Sequence, residues 1–341
     1  IDGSKFKAVN NRERNFTPGK VERLERELEQ RVQHYLDALE TADRVQAADL
    51  PARTEQIQSK LQKLRQKMRS LQDVREQLEQ TPDHQMSLTD PDSRAMTSHS
   101  MKGTALVGYN VQTAVDAKHH LIVAHEVTGT GSDRNQLSKM AKAAREAMGS
   151  KRLSVVADRG YYGGPELKAC ADAGIKAYVP RVMTSNAAAQ GRFSKDDFIY
   201  IARDDEYQCP AGERAIHRFA TQEDGLLIHV YWTSACPNCP IKGQCTPSSY
   251  RKIRRWEHEE VVEAAERRLT RHPEMMKLRK RTVEHVFGTL KHWMGSTHFL
   301  TRGSENVATE MSLNVLAYNM KRVMSLLGIA RTMKAMRLAG A

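Results

Sequence analysis

Cysteine is scarce in this 341-residue sequence, and long apolar runs are missing from it. Five cysteines are too few for the disulfide framework of a secreted protein of this size, and they favour a reducing, cytoplasmic environment. No apolar run approaches the ~20 residues that span a bilayer, and no signal peptide is recognisable. These absences argue against the membrane and secreted classes.

Acidic residues are fewer than basic ones, 41 against 53, which gives a formal net charge of +12. Residues 251–341 hold 18 Lys and Arg against 9 Asp and Glu, so about three quarters of the excess lies in the last quarter of the chain. Such a surface attracts polyanions, and nucleic acid is the first candidate. The sequence begins with Ile1, in a predicted strand, and we expect it to be a fragment that lacks its N-terminal part.

Two polar stretches carry apolar residues at steps of three and four, the spacing of an amphipathic helix. The first runs from Val21 to Leu39, and the second, from Ile57 to Leu78, fits a heptad seam. Pro51 and Ala52 lie between them, and Pro82 belongs to a loop after the second. The pattern predicts an antiparallel helical hairpin.

The next stretch predicts a mixed α/β layer. The segments 105–115 and 120–127 are strands joined by a turn at Asp116, and a helix begins with Asp133 as its N-cap. A short apolar strand over 153–157 runs directly into Asp158. The remaining predicted elements are a helix over 165–174, strands over 176–179, 198–202 and 226–232, and helices over 257–269, 271–293 and 307–327.

Three acidic residues stand out by context: Asp2 on the first strand, Asp158 at the end of a buried strand, and Glu284 on a helix. Carboxylates at strand ends of an open α/β sheet face the crevice where ligands bind. Hard oxygen ligands suit Mg²⁺ or Mn²⁺, and two such ions about 3.5–4 Å apart activate a water or a 3′-hydroxyl at a phosphodiester. Taken singly, each acid also fits a solvated turn, a helix cap or an ordinary surface position.

Four of the five cysteines follow the pattern C-x26-C-x2-C-x5-C, at Cys209, Cys236, Cys239 and Cys245. The closely spaced pair can hold one tetrahedral ion, and two further thiolates would complete a structural Zn²⁺ site with no open position for chemistry. The alternative is four thiols without a metal. Cys170 lies on a predicted helix and is expected in the core.

Five blocks of the sequence together resemble bacterial insertion-sequence transposases with a DDE catalytic core. The resemblance is to the transposase family 11-like group, in the subgroup whose final motif centres on a VEH.FG..K helix, and it extends over nearly the whole chain in order. The blocks are IDGSKFKAV from Ile1, GYNVQTAVDAKHHLIVAHEVT from Gly108, VVADRGYY from Val155, VEHVFGTLKHWMG from Val283 and ENVATEMSLNVLAYNMKRV from Glu305.

The resemblance implies an RNase H-like fold, a mixed five-stranded sheet in which the first and fourth strands lie side by side. It implies that Asp2, Asp158 and Glu284 form a metal-binding triad for cleavage at transposon ends and strand transfer. Asp116 is the rival for the first position, although an aspartate in a tight turn is common for its backbone hydrogen bonds.

The helix around Glu284 carries the basic residues that the resemblance implies for DNA binding. Related families place a Lys seven residues after the Glu, as Lys291 is here, and a continuous helix would put the two on one side. The upstream Tyr and Arg of those families are replaced by Lys277 and Lys280, with Arg279 and Arg281 adjacent, so the phosphate contact there stays open. The candidate DNA contacts are Lys291, Lys280, Arg281, Arg159 and Tyr162.

The resulting prediction is an RNase H-like transposase core interrupted by a helical hairpin and by a Cys-containing β insertion. Its partners would be DNA, at transposon ends and target, and a second copy of the chain. Two other classes stay open: a metal-dependent nuclease of the same fold without strand transfer, and a non-catalytic, transposon-derived DNA-binding protein. The predicted segments are 1–18 (first strand), 19–82 (hairpin), 83–182 (core), 183–256 (insertion) and 257–341 (catalytic helix and helical end).

Overall fold

The computed structural model describes residues 1–44, 50–81, 83–97, 106–182 and 186–339. It is a mixed α/β structure, as the sequence predicts. Its α-helices are α1 (Pro18–Arg44), α2 (Leu50–Glu79), α3 (Leu137–Ala147), α4 (Gly164–Asp172), α5 (Glu259–Arg271), α6 (Glu274–Gly288), α7 (Ser304–Leu327) and α8 (Ile329–Ala339). Its strands are β1 (Asp2–Lys7), β2 (Asn15–Phe16), β3 (Met86–Ser87), β4 (Arg94–Met96), β5 (Leu106–Val115), β6 (Ile122–Thr128), β7 (Leu153–Val156), β8 (Ile175–Tyr178), β9 (Ile199–Ile201), β10 (Glu206–Gln208), β11 (Arg214–Glu223), β12 (Leu226–Trp232) and β13 (Ile253–Trp256).

The chain divides into two compact units. Unit 1 comprises Ile1–Asp2 and Ser132–Val283, and unit 2 comprises Gly3–Gly131 and Glu284–Ala341. The five predicted segments stay a prediction. Pro82 and Met183, at two of their limits, and Ala105, at the predicted start of the strand over 105–115, lie outside the described residues. Within the described ranges, no helix is both long enough and apolar enough to cross a bilayer.

Unit 2 contains a four-stranded sheet in which β5 is bordered by β1 on one side and by β4 and β6 on the other. Gly108 on β5 allows the close approach of β1, because a Cβ there would lie 2.0 Å from the carbonyl oxygen of Phe6. Phe6, Tyr109 and Phe299 are buried in the core of this unit together with residues of α7.

The predicted helical hairpin is present in unit 2 as α1 and α2. Val21 near the start of α1 packs with Val74 and Leu78 near the end of α2, as antiparallel helices require. The apolar seam predicted for the second helix is buried at Ile57, Leu61, Leu64, Leu71, Val74 and Leu78. The hairpin is therefore held by apolar burial along one face of each helix.

Asp116 lies in the turn between β5 and β6, where its side chain binds the backbone. Its carboxylate accepts hydrogen bonds from the backbone nitrogens of Lys118, at 3.2 Å, and His119, at 2.7 Å. The structure thus gives this aspartate the local turn function that its position after a strand predicts.

In unit 1, β7 and β8 pair in parallel, with Leu153 opposite Ile175 and Val156 opposite Tyr178. The prediction that α3 begins after an Asp133 cap is wrong: the helix begins at Leu137, and Gln136 is the N-cap. The reason is that Glu166 accepts a hydrogen bond from the backbone nitrogen of Ser138, at 2.7 Å, and so satisfies a donor of the first turn from outside the helix.

Unit 1 also contains a five-stranded antiparallel sheet in the order β13-β12-β11-β10-β9. The predicted strand over 226–232 is confirmed as β12. Turns that carry Cys236, Cys239 and Cys245 follow it, and Cys209 directly follows β10. Phe198, Tyr207 and Tyr231 lie in a small core of this sheet, against which Cys209 and Cys245 pack.

The predicted helix over 271–293 is wrong at both ends. Pro273 lies between α5 and α6, and α6 gives way after Gly288 to a π-helical segment, Thr289–Trp293. Lys291 lies in that segment, so the α-helical spacing that would put it on the side of Glu284 does not hold. Helix α8 follows Gly328 and is absent from the sequence prediction.

Candidate active site

Asp2 and Asp158 converge on one cation within unit 1, the guanidinium of Arg279. Nη2 of Arg279 lies 2.7 Å from Oδ1 of Asp2 and 3.5 Å from Oδ2 of Asp158. The three residues lie far apart in the sequence, on β1, after β7 and on α6. Two of the three acids singled out from the sequence thus lie beside the same guanidinium group.

The backbone explains why the two aspartates meet. The nitrogen of Ile1 donates a hydrogen bond to the carbonyl oxygen of Val156, at 2.7 Å, which joins the start of β1 to the end of β7. Asp158 then caps a short 3₁₀ turn, since its Oδ1 accepts from the backbone nitrogen of Gly160 at 2.8 Å. Asp2 is therefore held at the start of β1, and Asp158 is held just after the end of β7.

Gly160 permits a close backbone approach to a second acid as well. A Cβ at this glycine would lie 3.0 Å from Oδ1 of Asp158 and 3.7 Å from Oδ2 of Asp133. The negative charge around the turn is thus larger than that of Asp2 and Asp158 alone, because Asp133 adds to it. Asp133, which sequence reasoning treated as a helix cap, belongs to this neighbourhood.

The electrostatics at Asp2 combine opposing effects. Burial raises the pKa of Asp2, Arg279 opposes that shift, and the carboxylate of Asp158 raises it again. Placing two carboxylates close together in a partly desolvated position disfavours their ionised forms unless a cation lies beside them. Arg279 supplies that cation.

Arg279 is the residue of this candidate site that the sequence did not single out. Its side chain is only 11% exposed, whereas Lys280 and Arg281 are exposed. A signal existed: Thr282, Val283 and Val286, three, four and seven residues after Arg279, are buried, so the helical period puts Arg279 on their side of α6. The dense run of basic residues from Lys277 to Arg281 obscured it.

The residues that follow Asp158 differ in exposure. Tyr161 is fully buried, burial raises its pKa, and it packs within unit 1. Tyr162 is half-buried, and burial raises its pKa to about 12. Arg159 is exposed. Of these three side chains, Arg159 and Tyr162 therefore keep surface on which a DNA contact could form.

Glu284, the third predicted acid, is exposed and belongs to unit 2. Lys291, in the same unit, is held against β1: its Nζ donates to Oγ of Ser4 at 2.6 Å and to the carbonyl oxygen of Lys5 at 2.8 Å. It also lies 4.5 Å from the ring centre of Phe6. Burial lowers the pKa of Lys291.

The four patterned cysteines, Cys209, Cys236, Cys239 and Cys245, line one cavity of unit 1. Burial raises the pKa of Cys245, and the neighbouring thiols add to that shift against the opposing charge of Arg251. Cys170 is fully buried, as predicted, and burial raises its pKa to about 12.

Among the residues that the structure describes, no group of three or more His, Cys, Asp or Glu side chains is arranged to hold a metal ion. The donor chemistry nevertheless suits cations, because the Asp2 and Asp158 carboxylates already gather around a positive charge.

The family of the chain follows from a comparison with protein-family models. A model described as "Transposase DDE domain" matches residues 79–320, more than two thirds of the chain, and this range includes Asp158, Arg279 and Glu284. No curated protein and no solved structure matches at a significant level. The chain belongs to the transposase DDE domain family, and its general function is that of a transposase.

Proposed function

We propose that the chain is a DNA transposase that uses Mg²⁺ or Mn²⁺ to cleave phosphodiester bonds at the ends of a transposable element and to join the freed 3′ ends to target DNA. The observation that carries this proposal is the convergence of Asp2 and Asp158 on a single cation in a chain of the transposase DDE family. DNA as the substrate is inferred from the family, and metal-dependent cleavage is inferred from the pair of carboxylates.

An RNase H-like core is part of the same proposal. Its support is the pairing of the strands: β6, β5 and β1 are successive neighbours in one sheet, and β7 and β8 pair in parallel. The hydrogen bond from Ile1 to Val156 links the first strand to the fourth, as such a core requires. The helical hairpin and the five-stranded sheet would then be insertions.

In this proposal Asp2, Asp158 and Glu284 hold the divalent ions. When bound, the ions would supply an activated water or 3′-hydroxyl and stabilise the leaving oxygen of the phosphodiester. The chain's own acids orient that site, since Asp158 is fixed by its bond to Gly160 and Asp2 by the start of β1. Hydrolysis leaves a 3′-hydroxyl, which then attacks a target phosphodiester in the joining step.

Basic residues outside the acidic pair would bind the DNA backbone. Lys280, Arg281 and Arg159 are exposed and therefore accessible to phosphates, whereas Lys291 must first give up its bonds to β1. Tyr162 would pack beside the sugar–phosphate chain. A homodimer acting on paired ends completes the proposal, on the strength of the family resemblance.

We further propose that Cys209, Cys236, Cys239 and Cys245 bind a structural Zn²⁺. The support is that all four line one cavity next to a small apolar core, where an ion would link the turns that carry them.

The test of the proposed function is cleavage and 3′-end joining on terminal-repeat DNA with Mg²⁺ or Mn²⁺. Asp158→Asn and Asp2→Asn should each abolish both steps and leave DNA binding largely intact, because they remove metal ligands and not phosphate contacts. Asp116→Asn, in the turn between β5 and β6, is the matched control and should keep activity.

The other outcomes discriminate between the remaining classes. Cleavage without joining would identify a nuclease, and DNA binding without metal-dependent cleavage would identify a non-catalytic binding protein. Strand transfer that survives in Asp158→Asn would refute the assignment of that acid. Loss of activity in Asp116→Asn with normal activity in Asp2→Asn would move the first catalytic position to the turn.

A further inference from the structure

We propose that Arg279 is a positioning residue that substitutes for the metal in the metal-free protein: it holds Asp2 and Asp158 together and competes with the divalent ion for them. This inference rests on the proposed function, since it takes the two aspartates as metal ligands. It adds a residue outside the three acids to the machinery and gives it a measurable effect.

The contact geometry carries the argument. One nitrogen, Nη2 of Arg279, lies near both carboxylates, 2.7 Å from Asp2 and 3.5 Å from Asp158. A single positive group between two carboxylates neutralises the repulsion that would otherwise separate them. Without a cation at this position, two ionised acids this near each other would move apart or bind a proton.

Arg279 contacts the two carboxylates through Nη2, and not every N–H group of its guanidinium is hydrogen-bonded. Nε of Arg279 is buried and has no hydrogen-bond partner among the described residues. Arginine forms its strongest carboxylate pairs through two parallel N–H bonds, and that arrangement is not what fixes this pair. A buried guanidinium with an unused donor is suited to exchange one partner for another.

Charge balance makes the guanidinium and a divalent ion competitors. Asp2 and Asp158 carry two negative charges, which Arg279 reduces to one and which a divalent ion alone would neutralise. A divalent ion and the guanidinium would repel each other if both lay against the same two carboxylates, at a position where Arg279 is only 11% exposed and Asp2 15%. Metal binding therefore releases Arg279 from at least one aspartate, and the released guanidinium can then bind a phosphate.

The position of Arg279 on α6 supports a dedicated function. The neighbouring basic residues Lys277, Lys280 and Arg281 are all exposed, whereas Arg279 points toward the buried side with Thr282 and Val283. Burying a charge is costly unless it is paired, and the acidic pair is what allows this arginine to lie on that face.

Mn²⁺ binding to the full chain without DNA tests the inference, measured by electron paramagnetic resonance of free Mn²⁺ and by calorimetry. Arg279→Met keeps the length of the side chain and removes its charge, and it should bind Mn²⁺ about tenfold or more tightly than the unchanged protein. Arg279→Lys restores the charge and should return the affinity toward that of the unchanged protein. Lys277→Met, an exposed cation on the same helix, is the control and should have no effect.

The outcomes separate the inference from the function on which it rests. Equal or weaker Mn²⁺ binding in Arg279→Met, with native circular dichroism, would overturn the competition by Arg279 and leave the metal site standing. If Asp158→Asn binds Mn²⁺ as tightly as the unchanged protein does, the proposed metal site is wrong and the inference is wrong with it. A larger rise in melting temperature on Mn²⁺ addition for Arg279→Met than for the unchanged protein would support the inference independently.

Discussion

Arg279 and the two aspartates show how a few neighbouring residues set the electrostatics of one position in this protein. Burial alone would favour the protonated form of Asp2, because it raises the pKa of that carboxyl, and the guanidinium counteracts the shift. The pair of acids can be inferred from sequence context, since each follows or begins a strand. The burial of Arg279 follows from the helical period of α6, but its pairing with the acids does not, because the ion pair joins residues 277 positions apart.

Lys291 gives a residue-scale prediction about structure. Lys291→Met should lower the free energy of unfolding by about 1–2 kcal/mol, because it removes charged hydrogen bonds to Ser4 and to the backbone of Lys5. Lys280→Met, at an exposed position of α6, should change it by less than about 0.5 kcal/mol. Urea unfolding of both variants measures the difference, and equal effects would show that the contacts of Lys291 with β1 do not stabilise the fold.

His125 gives a prediction about pH. Burial lowers the pKa of this half-buried histidine below its ordinary value of 6.5, and its Nε2 lies 3.0 Å from Oγ of Ser312. The unfolded chain therefore takes up the proton more readily than the folded one, so the stability that neutral His125 contributes is present above pH 6.5 and is lost as the pH falls through the folded-state pKa.

The measurement is the free energy of unfolding at several pH values between about 7.5 and 5, a range chosen to bracket the ordinary histidine pKa. The free energy of unfolding of His125→Gln should fall less steeply with decreasing pH than that of the unchanged protein. His34→Gln, at an exposed position on α1, should show the same pH dependence as the unchanged protein. A slope that is the same in all three proteins would contradict the assignment of the effect to His125.

At the scale of elements, the sequence predicts what periodicity controls and misses what distant contacts control. The seam of α2 and the strand β12 follow directly from the spacing of apolar residues, and both are observed. The start of α3 differs from the prediction because Glu166 of α4 satisfies its first turn. The end of α6 differs because the helix changes to a π segment, which helical periodicity does not encode.

The cysteine-bearing turns after β12 give an element-scale prediction. The purified protein should contain one Zn²⁺ per chain by mass spectrometry, and Cys239→Ser should lose it together with stability of the five-stranded sheet. Cys170→Ser, in α4, should retain the metal. Protein that is folded and zinc-free, or zinc that survives in Cys239→Ser, would contradict the proposed site.

At the scale of the whole molecule, composition predicts the class of partner and leaves the arrangement of the site undetermined. The net charge of +12 is concentrated toward the C-terminal end, in the region that holds the exposed Lys280 and Arg281. Charge distribution governs attraction to a polyanion and does not specify a fold. The pairing of β7 with β8 and the hydrogen bond between Ile1 and Val156 determine which acids lie together.

DNA affinity should therefore fall steeply with salt. Between 50 and 200 mM salt we expect a loss of about a hundredfold or more, because bound phosphates release counterions. Replacing Lys280 or Arg281 by Met should weaken binding to all sequences alike and reduce the slope by about one ion each. Affinity that stays flat across this range, measured by fluorescence anisotropy, would contradict phosphate-dominated binding.

The most direct test of the metal site is a crystal structure of the chain with Mn²⁺, with the ions located by their anomalous scattering. We expect an ion at about 2.0–2.3 Å from carboxylate oxygens of both Asp2 and Asp158, with the guanidinium of Arg279 displaced from at least one of them. Mn²⁺ bound to only one of the two aspartates, or bound elsewhere while Arg279 keeps both, would contradict the account.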